Sequence, residues 1–279
     1  MKSIIKLLSI IIFLLVSMFY TNKSINILKE NDPIMKKIKS TKEKYEIDPV
    51  NAIINEDEII SGIKGKTIDY KTSYNKMKRY GTYNESLTVL KDTTPTISIE
   101  NNYDKYLVKG NEKKRNISLV FILNKEKNID TLIKLLNEKD IQVTFFIDGT
   151  ISENNINLIK QLTEHEIEVL SYNNNYDEVI IKTTISYLES ITNKKALFCY
   201  TEEENKKLLE ICKKNKLHTI KPTKVITNQF YQTIKKQLES GTVISIYDYE
   251  INDLSYGIDY IKSKGYNLVT IKDLFKEEN

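Results

Sequence analysis

The 279 residues predict an α/β protein whose C-terminal part is built on a parallel sheet. From Asn116 onward, short apolar β-rich runs alternate with helical patterns over some 160 residues. One run, Val143-Thr-Phe-Phe-Ile-Asp-Gly149, is apolar at nearly every position and closes on an Asp-Gly turn, as a buried strand does. Parallel strands joined by helices require right-handed crossovers. Periodicity alone leaves open whether the sheet is open or closed into a barrel.

The strands are expected at Ser118 to Ile122, Gln142 to Ile147, Glu166 to Leu170, Ala196 to Cys199, His218 to Lys221, Val243 to Tyr247 and Asn267 to Thr270. Between them, helices are expected at Ile129 to Leu136, Asn154 to Leu162, Val179 to Ser190, Glu203 to Lys214, Gln229 to Leu238 and Gly257 to Lys264. Upstream, residues 51–115 read as a small α+β module. Glu58 to Tyr70 resembles two strands around Gly62 and Gly65, a hairpin signal, followed by a helix at Thr72 to Arg79 and strands at Thr96 to Glu100 and Lys105 to Val108. Residues 22–50 are polar and lysine-rich, punctuated by Pro33 and Pro49, and read as a stalk.

The one long apolar run, Ile4 to Tyr20, is about the minimum length for a membrane span, with Lys6 placed to snorkel. No small residues suited to a signal-peptide cut end the run, and no lipid-accepting Cys follows it, which favours an uncleaved signal anchor over residues 1–21. Single-pass anchoring, with the bulk outside the cytoplasm, is therefore expected, and cleaved secretion is the alternative. The chain carries 42 Lys and Arg against 38 Asp and Glu, only Arg79 and Arg115 being arginine. Scattered lysine without an arginine stripe argues against a nucleic-acid partner. Cys199 and Cys212 would lie about 15 Å apart if counted along a strand and its following helix, too far for a bridge, so two free thiols are expected.

Val143 to Gly149 and Glu164-His-Glu-Ile-Glu-Val-Leu-Ser-Tyr-Asn-Asn174 together resemble the core of the NodB-type polysaccharide deacetylases, carbohydrate esterase family 4. Ser73-Tyr-Asn-Lys-Met-Lys78 and Tyr103-Asp-Lys-Tyr106 are similar to a segment preceding that domain in some membrane-anchored deacetylase-like proteins. The resemblance implies a distorted (β/α) barrel of about seven strands over residues 116–279, with its site at the C-terminal strand ends. It also implies where the chemistry would be. The family's Thr-Phe-Asp-Asp-Gly falls on Val120-Phe-Ile-Leu-Asn124, so both carboxylates are lost. Its two metal histidines fall on Leu170 and Asn174, and the Arg-x-Pro-Tyr-Gly motif becomes Cys199-Tyr-Thr-Glu-Glu203. The acid histidine of Leu-His-Asp becomes Tyr247 in Ile246-Tyr-Asp248.

Deacetylation needs a metal to acidify a bound water, a base and an acid. With only His165 and His218 in the chain, and neither at a ligand position, no cofactor is expected. Asp148, Glu166, Glu202, Glu203 and Asp248 are the carboxylates a relocated site would use, although carboxylates on such loops are ordinarily solvated. No phosphate-cradling Gly-rich loop, zinc-spaced Cys pair or Gly-x-Ser-x-Gly elbow occurs. The expectation is an inactive, membrane-anchored, deacetylase-like protein of the cell envelope. It would bind cell-wall glycan through Asp148, Tyr172, Asn173, Asn174, Tyr200, Tyr247 and Asp248, since tyrosine stacks on sugar faces and bonds their hydroxyls. The alternatives are a structural or partner-binding envelope protein and an active cell-wall deacetylase.

Overall fold

A computed structural model describes residues 2–124, 129–170 and 176–278. In chain order the helices are α1 (Lys2–Asn31), α2 (Pro33–Ser40), α3 (Lys42–Tyr45), α4 (Tyr70–Tyr80), α5 (Asp130–Glu138), α6 (Gly149–Asn154), α7 (Ile156–Gln161), α8 (Glu178–Thr192), α9 (Lys206–Lys214), α10 (Phe230–Lys236), α11 (Ile251–Ser263) and α12 (Ile271–Phe275). The strands are β1 (Ile53–Asn55), β2 (Glu58–Ile60), β3 (Gly65–Ile68), β4 (Leu90–Thr93), β5 (Tyr106–Lys109), β6 (Asn116–Leu123), β7 (Thr144–Ile147), β8 (Glu166–Val169), β9 (Phe198–Tyr200), β10 (His218–Ile220), β11 (Lys224–Ile226), β12 (Val243–Ile246) and β13 (Asn267–Leu268).

Two compact units result, one of residues 1–49 and 64–93, the other of residues 50–63 and 94–279. In the first, α2 begins at Pro33 with Asp32 as its N-cap and turns Ile34, Met35 and Ile38 inward. These pack with Ile68, Tyr74 and Met77 into a small core, so residues 33–40 belong to a folded unit where a stalk was expected. Asp69 caps α4 by accepting the Thr72 N–H at 3.0 Å, and Gly81 ends that helix at φ 88°.

The second unit is a curled, mostly parallel sheet in the order β1-β2-β5-β10-β9-β8-β7-β6-β12-β11, with β13 beside the start of β6. Six of the seven strands expected after Asn116 run consecutively in it, and the seventh is β13. Every residue of β7 and β12 is buried, which is why those runs read as continuously apolar. Leu119, Phe121, Leu123, Phe145, Ile147, Ile244 and Ile246 face the helices α5, α7, α8, α10 and α11. On the opposite face Val120, Ile122, Phe146, Phe198, Tyr200 and Val243 enclose Ile271, Leu274 and Phe275 of α12.

Four expectations are corrected. The 51–115 module divides between the two units, because β1, β2 and β5 join the large sheet. The hairpin at 58–70 does not form: β2 pairs with β1 and β5, whereas β3 pairs with β4. Gly62 and Gly65 serve close approach rather than a turn, since a Cβ on either would lie 2.4 Å from the Val50 carbonyl oxygen or 2.2 Å from that of Ile47. Thr96 to Glu100 forms no strand but enters a 3-10 turn at Ile99–Asn101. Finally, Cys199 and Cys212 are joined in a disulfide with Cα atoms 6.3 Å apart. The loop after β9 reverses the chain, and α9 returns over its own strand, bringing back the distance that a count along the contour had added.

Candidate functional site

The C-terminal ends of β9 and β12 bring together two of the residues singled out in the sequence. Tyr200 ends β9 and Tyr247 follows β12, and their hydroxyl oxygens lie 3.4 Å apart. Tyr247 donates to Glu202 Oε2 at 2.9 Å. Burial raises both phenols above the ordinary tyrosine value, Tyr247 the further of the two, and for Tyr247 the neighbouring Tyr200 and Glu202 push in the same direction. Both therefore stay protonated at neutral pH and act as hydrogen-bonding groups. Tyr200 is only 2% exposed and packs against Phe146 at 5.2 Å, so it cannot offer a ring face to a sugar as expected; it backs Tyr247, which is half-buried.

Asp148 is likewise corrected as a ligand-binding residue. It is 4% exposed and caps α6, its Oδ1 accepting the Thr150 N–H at 3.0 Å as well as the Thr150 hydroxyl. Asp248 is exposed on the loop after β12. Tyr172, Asn173 and Asn174 lie outside the described residues.

At the end of β6, where catalysis would need two carboxylates, the side chains are apolar and buried. Ile122 and Leu123, at the end of β6, are 2% and 3% exposed and belong to opposite faces of the sheet. Leu170 packs against the α12 side of the sheet. A divalent metal does not fit these side chains, which carry no donor atom. Among the described residues, no three His, Cys, Asp or Glu side chains converge to hold an ion, so the alternative carboxylates do not assemble one either. The two histidines sit at the other ends of their strands. His165 precedes β8, buried and without a partner on either ring nitrogen, and burial lowers its pKa. His218 begins β10, stacks on Tyr103 at 4.1 Å, and is pushed down to about 4 by burial.

Two buried carboxylates that sequence reading missed hold the sheet together. β8 and β9 pair at Val169 and Cys199 alone, and Glu168 Oε2 bridges the gap below by accepting the Leu197 and Phe198 N–H groups at 2.9 and 3.0 Å. Burial raises the pKa of Glu168 well above the usual carboxylate value, with the Glu166 charge adding to it. Glu277 accepts the Gly62 N–H at 2.9 Å, the Ile99 N–H at 3.2 Å and the Ser98 hydroxyl. The alternation of Glu166-Ile-Glu-Val169 marks a strand but not which glutamate is enclosed.

The fold recurs in solved structures. The wild-type BA3943 of Bacillus anthracis, described as a family 4 carbohydrate esterase pseudoenzyme, superposes with a TM-score of 0.67 at 19% identity, over 89% of this chain and 97% of that one. The chain has the NodB-type fold of the family 4 carbohydrate esterases. A BA3943 mutant described as having restored enzymatic activity matches with a TM-score of 0.66 at 19% identity, over 89% of this chain and all of that one. The Bc1960 peptidoglycan N-acetylglucosamine deacetylase, a member of the same structural group, matches with a TM-score of 0.54 at 17% identity, over 62% of this chain and 95% of that one. Among curated proteins, the uncharacterized protein YlxY of Bacillus subtilis is 24% identical over 91% of this chain and 87% of its own length. No protein-family model matches the chain. Tyr247 follows the end of β12, and Ile122 and Leu123 end β6, the positions onto which the motif resemblance puts the acid histidine and the two aspartates.

Proposed function

We propose that this is a deacetylase-like protein of the cell envelope, anchored by α1 with the large unit outside the cytoplasm, that binds cell-wall glycan without hydrolysing it. The observation that carries the proposal is the replacement of the esterase motif's carboxylates and first histidine by Ile122 and Leu123, both buried in hydrocarbon, and by the half-buried Leu170. A water at neutral pH needs a metal or a base to attack an amide, and these side chains provide neither. What the strand ends do offer is a protonated Tyr247 braced by Tyr200 and Glu202, with Asp248 exposed beside it. A phenol and carboxylates suit hydroxyl-rich ligands, and the structural neighbour Bc1960 is a peptidoglycan N-acetylglucosamine deacetylase.

Anchoring is supported by α1, whose stretch Ile10–Asn31 is long and apolar enough to cross a membrane and whose Phe13 is 72% exposed. The disulfide supports the outward orientation, since such bonds persist in oxidising compartments. Lysines after α1 outnumber those before it, a bias that short loops obey but that domains of this length largely escape.

The test is retention of the detergent-solubilised full chain on purified peptidoglycan, with acetate assayed in the same tubes. The expected result is retention without acetate release, and loss of retention in Tyr247→Ala. Chelator-sensitive acetate release would overturn the proposal, and so would absence of retention.

A further inference from the structure

The first unit is charged quite differently from the second. Residues 1–49 and 64–93 hold sixteen Lys and Arg against eight Asp and Glu, whereas the remainder holds twenty-six against thirty. Within that unit the excess is displayed on two short amphipathic helices. α2 buries Ile34, Met35 and Ile38 and exposes Lys36, Lys37 and Lys39; α4 buries Ser73, Tyr74 and Met77 and exposes Lys71, Lys76, Lys78, Arg79 and Tyr80. Lys39 pairs with Glu30 and Lys78 with Asp32, but Lys36, Lys37, Lys71, Lys76 and Arg79 form no ion pair among the described residues. Unpaired cations gathered on one small unit repel each other and are stabilised by an anionic surface.

A cleft of about 390 Å³ opens between the last turns of α1 and the first turns of α4, lined by Asn26, Lys29, Glu30, Tyr70, Lys71 and Asn75 among others. Its only carboxylate, Glu30, is taken by Lys39, and the Tyr70 hydroxyl is engaged with Glu46 at 2.8 Å. Two ammonium groups and two amides remain to face the cleft, a set that matches a phosphate ester bearing hydroxyls. The depth is also right. The apolar run begins at Ile4 and ends at Tyr20, so with hydrocarbon entered at Ile4 a core about 30 Å thick takes up roughly 20 residues, the polar end of the Ile10–Asn31 stretch lies outside it, and Lys29 stands about 9 Å beyond, among the headgroups.

We propose that this unit is a membrane-surface module that binds the headgroups of anionic phospholipids, with the Lys29 and Lys71 cleft as its headgroup site and Lys36, Lys37, Lys76 and Arg79 as its electrostatic footing. Continuity with α1 selects lipid over a wall polymer as the occupant, since the same unit contains the apolar helix. The proposal rests on the anchoring reading above, and one experiment separates the two.

The full chain is incorporated into nanodiscs of phosphatidylcholine, with and without phosphatidylglycerol, and lysine acylation is followed residue by residue by mass spectrometry. Phosphatidylglycerol is expected to slow acylation of Lys29, Lys36, Lys37, Lys71 and Lys76 about five-fold, reversibly with salt, while Lys207 of the large unit is unchanged. Lys29→Gln/Lys71→Gln should lose the protection at Lys36 and Lys76 in part and bind less phosphatidylglycerol. Co-elution with both discs but equal acylation overturns the lipid site and leaves the anchor standing. Co-elution with the anionic disc alone supports the lipid site and removes the anchor, and co-elution with neither removes both. Protection by soluble polyglycerol phosphate in detergent, but not by lipid, would overturn the proposal in favour of a wall polymer.

Discussion

Glu168 Oε2 accepts the backbone N–H of Phe198 at 3.0 Å, so a side chain of β8 makes the bond that a strand neighbour would otherwise make to β9. Because burial raises its pKa, Glu168 keeps its proton in the folded chain at pH values where the unfolded chain has lost it. The native state then binds more protons, and stability falls as pH rises from about 4 through the folded pKa. Glu168→Gln retains the accepting oxygen without the charge. Urea unfolding across pH should show a flatter profile for the variant, with stability at pH 7 equal to or above that of the parent.

His218 works in the opposite direction. Its pKa of about 4, set by burial, means that the unfolded state takes up protons first as pH falls. The stability it permits is complete above about 6.5 and is lost as pH drops toward 4, on the order of 3 kcal/mol over that range. His218→Phe should keep the stack on Tyr103 and remove this acid limb, which thermal unfolding at pH 4.5 and 7 would reveal.

The Cys199–Cys212 disulfide closes a loop of thirteen residues in sequence. Cys199→Ser/Cys212→Ser should lower unfolding free energy by about 3 kcal/mol, and reductant should do the same to the parent but nothing further to the variant. Thiol counting in the denatured chain, before and after reduction, checks the bond directly.

Zinc should leave the melting temperature of the parent unchanged. Introducing Ile122→Asp, Leu123→Asp, Leu170→His and Asn174→His together should destabilise the metal-free chain by several kcal/mol, since carboxylates would then be buried unpaired. Zinc should reverse much of that loss, and metal analysis should find about one ion per chain.

How far the sequence could be read depended on how local each determinant was. The strands from β6 to β10 and β12 were legible because a strand buried on both faces, such as Thr144–Ile147, is a continuous apolar run, and the helices between them show their own period. Gly62 and Gly65 misled because glycine in a turn and glycine under another backbone look alike in one dimension; only the Val50 and Ile47 carbonyls tell them apart. The cysteine pair was missed because distance was counted along the contour of a chain that doubles back. Tyr200 and Tyr247 were legible as positions at strand ends, but their mutual contact was not. Glu277 meets Gly62 across 215 residues, a partnership without any local signature.

The meeting of Tyr200 and Tyr247 also measures the bending of the sheet. β9 and β12 are four places apart in the strand order, which in a flat sheet would separate them by about 19 Å, yet the two hydroxyls lie 3.4 Å from one another. The pair therefore spans the mouth like a crossbeam between facing walls, and its presence demands that β8, β7 and β6 keep their arc. Any alteration that straightens those three strands, however distant from the mouth, will be reported there as two tyrosines drawing apart.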